Sequence, residues 1–186
     1  MSRNPLLLIH EIVGKNFNEK MKKILKIIIE PILQKTWFAD FILFTPRLIC
    51  GFYLTKDFGA DKFGMPWSPV EREMGLFEVI YWFPRDVEAY GGVFAEFPVF
   101  FAWMGAFAEA VGGLLLLLGF NTRISGFLIV CTMLVAIFFQ KWQQVIEWGS
   151  IWGILPAMGF LWVGLYAMIL GSGRFGIDYL ISKNMK

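Results

Sequence analysis

Four long apolar segments constrain the fold of this chain more than any other feature of its sequence. They cover residues 37–55, 97–120, 123–142 and 150–170. A transmembrane helix needs about 20 predominantly apolar residues, and only helices or closed barrels satisfy every backbone polar group in lipid. Hydrophobic residues make up 57% of the 186 residues, more than a soluble domain of this size carries. We therefore predict an all-α integral membrane protein built as a four-helix transmembrane bundle.

The distribution of charge along the chain predicts its orientation. Lysine and arginine residues are concentrated before the first segment and after the last, whereas the connection 56–96 carries eight acidic residues against four basic ones. Because basic loops stay on the cytoplasmic side, we expect both termini inside and a multi-pass protein of the cell (inner) membrane. Residues 1–36 are then an interfacial N-terminal segment, residues 37–178 the membrane domain and residues 179–186 a cytoplasmic tail.

The N-terminal segment has the pattern of a basic amphipathic helix. Residues 18–35 combine closely spaced lysines with an apolar side of isoleucine and leucine. Asn18 is placed to cap the helix, and Pro31 would kink or end it. We expect this helix on the inner membrane surface, either as an ordinary interfacial anchor or as a dedicated lipid or partner site.

The acidic connection between the first two spans also contains a helix signal. Ser68–Glu71 reads as a capping box, with serine at the N-cap, proline at the first helical position and glutamate two residues later. Apolar residues then recur at helical spacing. The pattern predicts an outer amphipathic helix over Pro69–Phe83, ended by Pro84.

Glu109 is the one charge in the second apolar segment, and such a residue normally faces a partner or a polar cavity. Arg47 lies about ten residues into the first span, at a similar expected depth, so the two predict an ion pair between consecutive helices. Gly105, Gly112 and Gly113 lie at helical spacing from Glu109, where another backbone can approach closely. Two interpretations stay open: a structural pair that fixes how the helices dock, or a polar floor for a ligand headgroup with a proton-accepting carboxylate.

Other cofactor signals are weak. The single histidine precedes the membrane region, and the sequence has no C-x-x-C pair and no glycine-rich nucleotide loop. We therefore expect no haem, metal or nucleotide cofactor and no nucleic-acid partner. Cys50 and Cys131 fall at depths that differ by roughly 9 Å, so two free thiols are expected. Near the C-terminus, Arg174 and Asp178 are four residues apart and are predicted to pair on a short interfacial helix.

Three stretches of this sequence resemble the DoxX/DoxD family of small four-span membrane proteins. They are P-R-L-I-C-G-F-Y-L with Arg47 and Gly51, E-A-V-G-G-L-L-L-L-L-G-F-N-T-R from Glu109 to Arg123, and G-S-G-R-F-G-I-D from Gly171 to Asp178. The resemblance spans about residues 37–178. It implies a four-span fold and a redox setting, since DoxD-like members are subunits of thiosulfate:quinone oxidoreductase. DoxX-like members associate with other redox proteins, and distant relatives act as membrane chaperones or cargo receptors.

Two functional classes follow. In the first, the protein is an integral membrane subunit of a redox complex that passes electrons to membrane quinone, with thiosulfate as a candidate donor. Glu109 and Arg47 would then be the catalytic and quinone-binding residues, and the ring would enter laterally between spans 1 and 2 beside the three glycines. Arg123, Arg174 and Asp178 would form interfaces, and the partners would be the bilayer and membrane or outer-face redox subunits. In the second class, the chain is a non-enzymatic assembly or scaffold subunit.

Overall fold

The fold is a bundle of four membrane-length helices. The computed structural model describes residues 19–185, and within them four helices are long and apolar enough to cross a membrane. These spans 1 to 4 are Trp37–Gly59, Pro98–Leu118, Thr122–Glu147 and Ile151–Leu170. The four-span, all-α prediction is confirmed, and the protein contacts the lipid bilayer along these helices.

Three of the spans change from α-helix to π-helix over part of their length. The π-helical stretches of the described chain are Leu54–Gly59, Ala108–Gly112 and Ala136–Lys141. The α-helical parts are Trp37–Tyr53, Pro98–Phe107, Gly113–Leu118, Thr122–Val135, Trp142–Trp148 and Leu155–Leu170, the last preceded by a 3₁₀ turn at Ile151–Ile154. The Thr55 hydroxyl donates a 2.6 Å hydrogen bond to the Ala110 carbonyl, so two π-helical stretches contact each other directly. Such stretches are frequent at functional sites.

Glycines set the contact between spans 1 and 2. A Cβ at Gly51 would lie 2.7 Å from the Leu117 nitrogen, and one at Gly113 would lie 2.8 Å from the Leu54 Cβ. Both distances are too short for a side chain, so the two backbones touch at these glycines. The contact also fixes the antiparallel register, because it places Gly51 at the level of Leu117.

Two helices lie at the end of the bundle where span 1 begins and span 4 ends, which we call the basic end. One is the N-terminal helix, residues 19–29, and the other is the C-terminal helix, Ile177–Asn184. The N-terminal helix agrees with the amphipathic prediction, whereas the predicted cap at Asn18 lies outside the described residues. The segment that follows is tied to the bundle, since the Ile32 amide donates to the Leu170 carbonyl at 2.8 Å.

The long connection, residues 60–97, closes the opposite end. The helix predicted over Pro69–Phe83 is wrong: this region has one 3₁₀ turn at Val70–Arg72 and an isolated β-bridge between Phe63 and Val79. The helices of the connection are Phe83–Glu88 and Val93–Glu96.

The capping box fails because its serine is used elsewhere. The Ser68 hydroxyl accepts from the Met65 amide at 2.9 Å and donates to the Phe63 carbonyl at 2.7 Å, so it stabilises a turn. Pro84 lies in the first turn of a helix instead of ending one. Phe63 and Ile80 are buried in the end of the bundle, which fixes the connection by tertiary contact and not by helical periodicity.

Candidate functional site

A cavity of about 250 Å³ lies between spans 2 and 3, beneath the long connection. Most of its wall is apolar, from Phe83, Val87, Phe94, Phe101, Met104, Leu128 and Val135. Its polar groups come from Lys62, Tyr90, Glu109, Cys131, Thr132 and Gln140. A mainly apolar cavity with a few polar groups has the general character of a small-molecule site.

Glu109 forms an ion pair in the wall of this cavity, and its partner is Lys62. The Glu109 Oε2 lies 2.7 Å from the Lys62 Nζ, and the two side chains are 8% and 15% exposed. The Lys62 ammonium also lies over the Phe83 ring, 5.1 Å from its centroid. A cation at this distance is attracted to the aromatic face, so Phe83 helps to hold the lysine in the wall.

Backbone hydrogen bonds position Lys62 at the end of the cavity that is next to the long connection. Its amide donates to the Gly59 carbonyl at 3.1 Å, and its carbonyl accepts from the Ile80 amide at 3.0 Å. The first bond continues the turn that ends span 1, and the second ties this turn to the far part of the long connection. These two bonds hold the backbone of Lys62 in the position from which its side chain reaches Glu109.

The predicted pair between Arg47 and Glu109 is wrong. Arg47 is 1% exposed, and its Nη2 donates to the Phe175 carbonyl at 2.5 Å near the basic end. Its guanidinium lies beside Gly119, which is ten residues beyond Glu109 on the chain. At a rise of 1.5 Å per residue this is roughly 15 Å along the helix axis. The expected depths were mistaken because span 1 continues to Gly59, and its start extends past the end of span 2.

The three glycines that were predicted to share a helix face with Glu109 point in different directions. Gly105 lines the cavity, where an added Cβ would lie 3.8 Å from the Phe83 ring. Gly113 packs against span 1, and Gly112 faces the Ile129 side chain of span 3. The π-helical stretch over Ala108–Gly112 rotates the residues after Glu109 away from the α-helical positions on which the prediction rested. The room expected at Gly113 for a ring between spans 1 and 2 is absent, because the two backbones touch there.

The residues predicted to form interfaces lie at the basic end, where they join the N-terminal segment and the C-terminal tail to the bundle. Asp178 is 1% exposed and accepts from the Asn121 amide, the Thr122 amide and the Thr122 hydroxyl at 2.7–2.9 Å. Arg174 pairs with the buried Asp40 of span 1, so the predicted Arg174–Asp178 pair is wrong. Arg174 precedes the helix that carries Asp178, and the two therefore do not have helical i,i+4 geometry.

Arg123 has a similar role at the same end. Its Nη2 donates to the Glu30 carbonyl at 3.1 Å, which ties the segment after the N-terminal helix to span 3. The predicted free thiols are confirmed, since Cys50 and Cys131 are both unpaired. Within residues 19–185 no group of three or more His, Cys, Asp or Glu side chains is arranged to hold a metal ion.

Tyr90 adds a hydroxyl and an aromatic face to the cavity. Its ring lies 5.8 Å from Phe94 and 6.0 Å from Phe139, centroid to centroid. Burial raises the pKa of Tyr90 to about 12, and the nearby carboxylates of Asp86 and Glu109 act in the same direction. The phenol is therefore neutral at physiological pH and can donate a hydrogen bond.

Lys62 and Tyr90 were not among the site residues predicted from the sequence. Lys62 is one of four basic residues among the eight acidic ones of residues 56–96, and this excess of acid was the available signal that it has a carboxylate partner. Together the site offers a cation, a neutral hydroxyl and a carboxylate in an otherwise apolar cavity. Such a set can bind a flat apolar ring that carries carbonyl or hydroxyl oxygens, and it can exchange protons with them.

Comparison with known protein families gave a match over more than half of the chain. A family model described as DoxX matches residues 42–142, which include the two π-helical stretches that carry Thr55 and Glu109. No curated protein and no solved structure matches the chain.

Proposed function

The chain belongs to the DoxX family of membrane proteins, and from this premise we propose that it is an integral membrane subunit of a redox complex that passes electrons to membrane quinone. The observation that carries the proposal is the cavity between spans 2 and 3, with the Lys62–Glu109 pair in its wall. This site replaces the Arg47–Glu109 site expected from sequence. Glu109 keeps its proposed catalytic and quinone-binding role, and Gly105 keeps its proposed quinone-binding role. Arg47, Gly112 and Gly113 are instead assigned to the packing of the bundle.

The shape of the cavity supports a lipid-soluble ligand. Its volume of about 250 Å³ suits a single ring, somewhat below the usual range of roughly 300–1,000 Å³ for ligand pockets. Met104 of span 2 and Cys131 of span 3 line it, and both residues are exposed. A quinone ring can therefore enter from the lipid while its isoprenoid tail stays between the acyl chains.

The polar groups support quinone chemistry at this position. Reduction of a quinone takes two electrons and two protons. Lys62 and the neutral Tyr90 phenol are donors for a quinone carbonyl, and Glu109 holds the lysine and accepts or returns a proton. The electrons would come from a partner subunit docked at the long connection, with a sulfur compound such as thiosulfate as the donor.

The test is turnover of the complex purified from native membranes, with thiosulfate and a soluble quinone analogue. Glu109→Gln keeps the size of the side chain but removes its proton chemistry, and it should slow turnover at least tenfold without dissociating the complex. Gly105→Leu should raise the KM for quinone, because a Cβ fits there and the longer side chain enters the cavity. Gly159→Leu is the matched control, since nothing lies near that glycine. Wild-type turnover in an intact Glu109→Gln complex would contradict the proposal.

The scaffold function remains the second candidate, and one observation favours it. The long connection exposes large apolar side chains, among them Val70 at 88% and Tyr81 at 78%. Side chains exposed to this extent are available for contact with a partner subunit. If the intact complex shows no quinone-dependent turnover with any donor, this second function is the better one.

We also propose that the basic end faces the cytoplasm and that the long connection lies outside, in the cell (inner) membrane. The charge asymmetry supports this orientation, because Lys and Arg are concentrated at the ends of the chain.

A further inference from the structure

The basic end contains a second cavity that the quinone proposal does not use. It is a groove of about 610 Å³ between the N-terminal helix and the C-terminal helix. Its wall consists of Lys22, Lys26, Ile29, Glu30, Ser182 and Met185. The groove is large enough for the headgroup and glycerol of a phospholipid, and it lies at the opposite end of the bundle from Lys62 and Glu109.

The charge of the groove is positive. Lys22 and Lys26 form its wall, and Lys20 and Lys23 lie on the same helix. Glu30 is the acidic group of the wall, and its carboxylate lies 3.5 Å from the Lys26 Nζ in a solvent-exposed pair. Pairs of this kind are weak, so the ammonium of Lys26 can turn to another anion at little cost.

The N-terminal helix also has an apolar side that the protein leaves uncovered. Met21, Ile24 and Leu25 are 43%, 52% and 41% exposed, and their i, i+3, i+4 spacing places them on one side of the helix. The segment that follows this helix is bonded to the last residue of span 4, through the Ile32 amide and the Leu170 carbonyl. The C-terminal end of the helix therefore lies near the depth where the spans end, which is where acyl chains meet headgroups.

We propose that this groove binds the headgroup of an anionic phospholipid. Lysines on one side of the helix attract the phosphate and any further negative charge, and Met21, Ile24 and Leu25 on the other side insert among the acyl chains. A soluble anion or a nucleic acid would use the lysines alone and leave the apolar side in water. The combination of both features selects a lipid.

The test is native mass spectrometry of the full-length protein with added phosphatidylglycerol or phosphatidylcholine. The wild-type protein should retain phosphatidylglycerol at least fivefold more strongly. Each lysine near an anionic headgroup contributes about a fivefold change in affinity, so Lys22→Gln with Lys26→Gln should weaken retention about 25-fold. Lys22→Arg with Lys26→Arg should restore it, since both charges are kept.

Lys141→Gln is the matched control, because this lysine lies in the π-helical stretch of span 3 toward the long connection. It should leave phosphatidylglycerol retention unchanged. Equal retention of the two lipids by the wild-type protein would overturn the proposal, as would an equal loss in the control. Displacement of phosphatidylglycerol by millimolar inorganic phosphate would show a simple anion site and would also overturn it. None of these results depends on quinone turnover.

Discussion

Removal of one member of the Lys62–Glu109 pair should destabilise the bundle strongly. Lys62→Met leaves the Glu109 carboxylate in a site where the side chain is only 8% exposed, with no cation beside it. Breaking a buried pair in this way costs about 3–5 kcal/mol, and we expect about 3 because Lys62 is itself 15% exposed. For a chain of this length, that loss lowers Tm by roughly 6–12 °C.

The assay is a double-mutant cycle on thermal unfolding in a mild detergent, with Lys62→Met, Glu109→Gln and the double variant. Direct contact predicts that the double variant recovers part of the loss, with a coupling energy of about 1–3 kcal/mol. Arg47→Met combined with Glu109→Gln is the control, because these residues lie at different levels of the bundle. Their effects should add to within about 0.5 kcal/mol. Additive losses for Lys62 and Glu109, or strong coupling between Arg47 and Glu109, would refute the assignment.

Three further predictions test other parts of the structure. Gly113→Ala should lower stability by about 1–3 kcal/mol because its Cβ would lie 2.8 Å from Leu54, whereas Gly112→Ala, with its nearest neighbour at 4.0 Å, should melt within about 2 °C of wild type. Asp178→Asn removes a carboxylate that accepts three hydrogen bonds, so it should cost about 1–3 kcal/mol and speed proteolysis of the C-terminal helix; unchanged proteolysis would contradict its role as an anchor. In a cysteine-free background, Glu73→Cys should react with an impermeant maleimide on intact cells and Lys183→Cys only after permeabilisation, and the reverse pattern would show an inverted topology.

The spans could be predicted from sequence because the bilayer imposes a local rule. Each crossing needs its own continuous apolar stretch, whatever the other helices do. Cys50 and Cys131 are free as expected, although the depth used for Cys50 carried the same error in span 1 as the depth used for Arg47. The close contact at Gly113 was also foreseeable, because small residues permit backbone approach.

The partners of the charged residues could not be predicted in this way. Glu109 and Lys62 are 47 residues apart, and they meet only because the long connection folds back into the bundle. The register of spans 1 and 2 depends on a π-helical extension to Gly59 that has no clear sequence signal. A second π-helical stretch at Glu109 changes which residues share its face. The capping box at Ser68 failed for a related reason, since tertiary contacts used the hydroxyl in a turn.

The most direct test of the quinone site is photoaffinity labelling of the native complex with an azidoquinone, followed by peptide mapping. We expect saturable labels in spans 2 and 3 at residues that line the cavity, such as Met104, Leu128 and Cys131, with loss of labelling when natural quinone is added. Labels between spans 1 and 2 or beside Arg47, or labelling that natural quinone does not reduce, would contradict it.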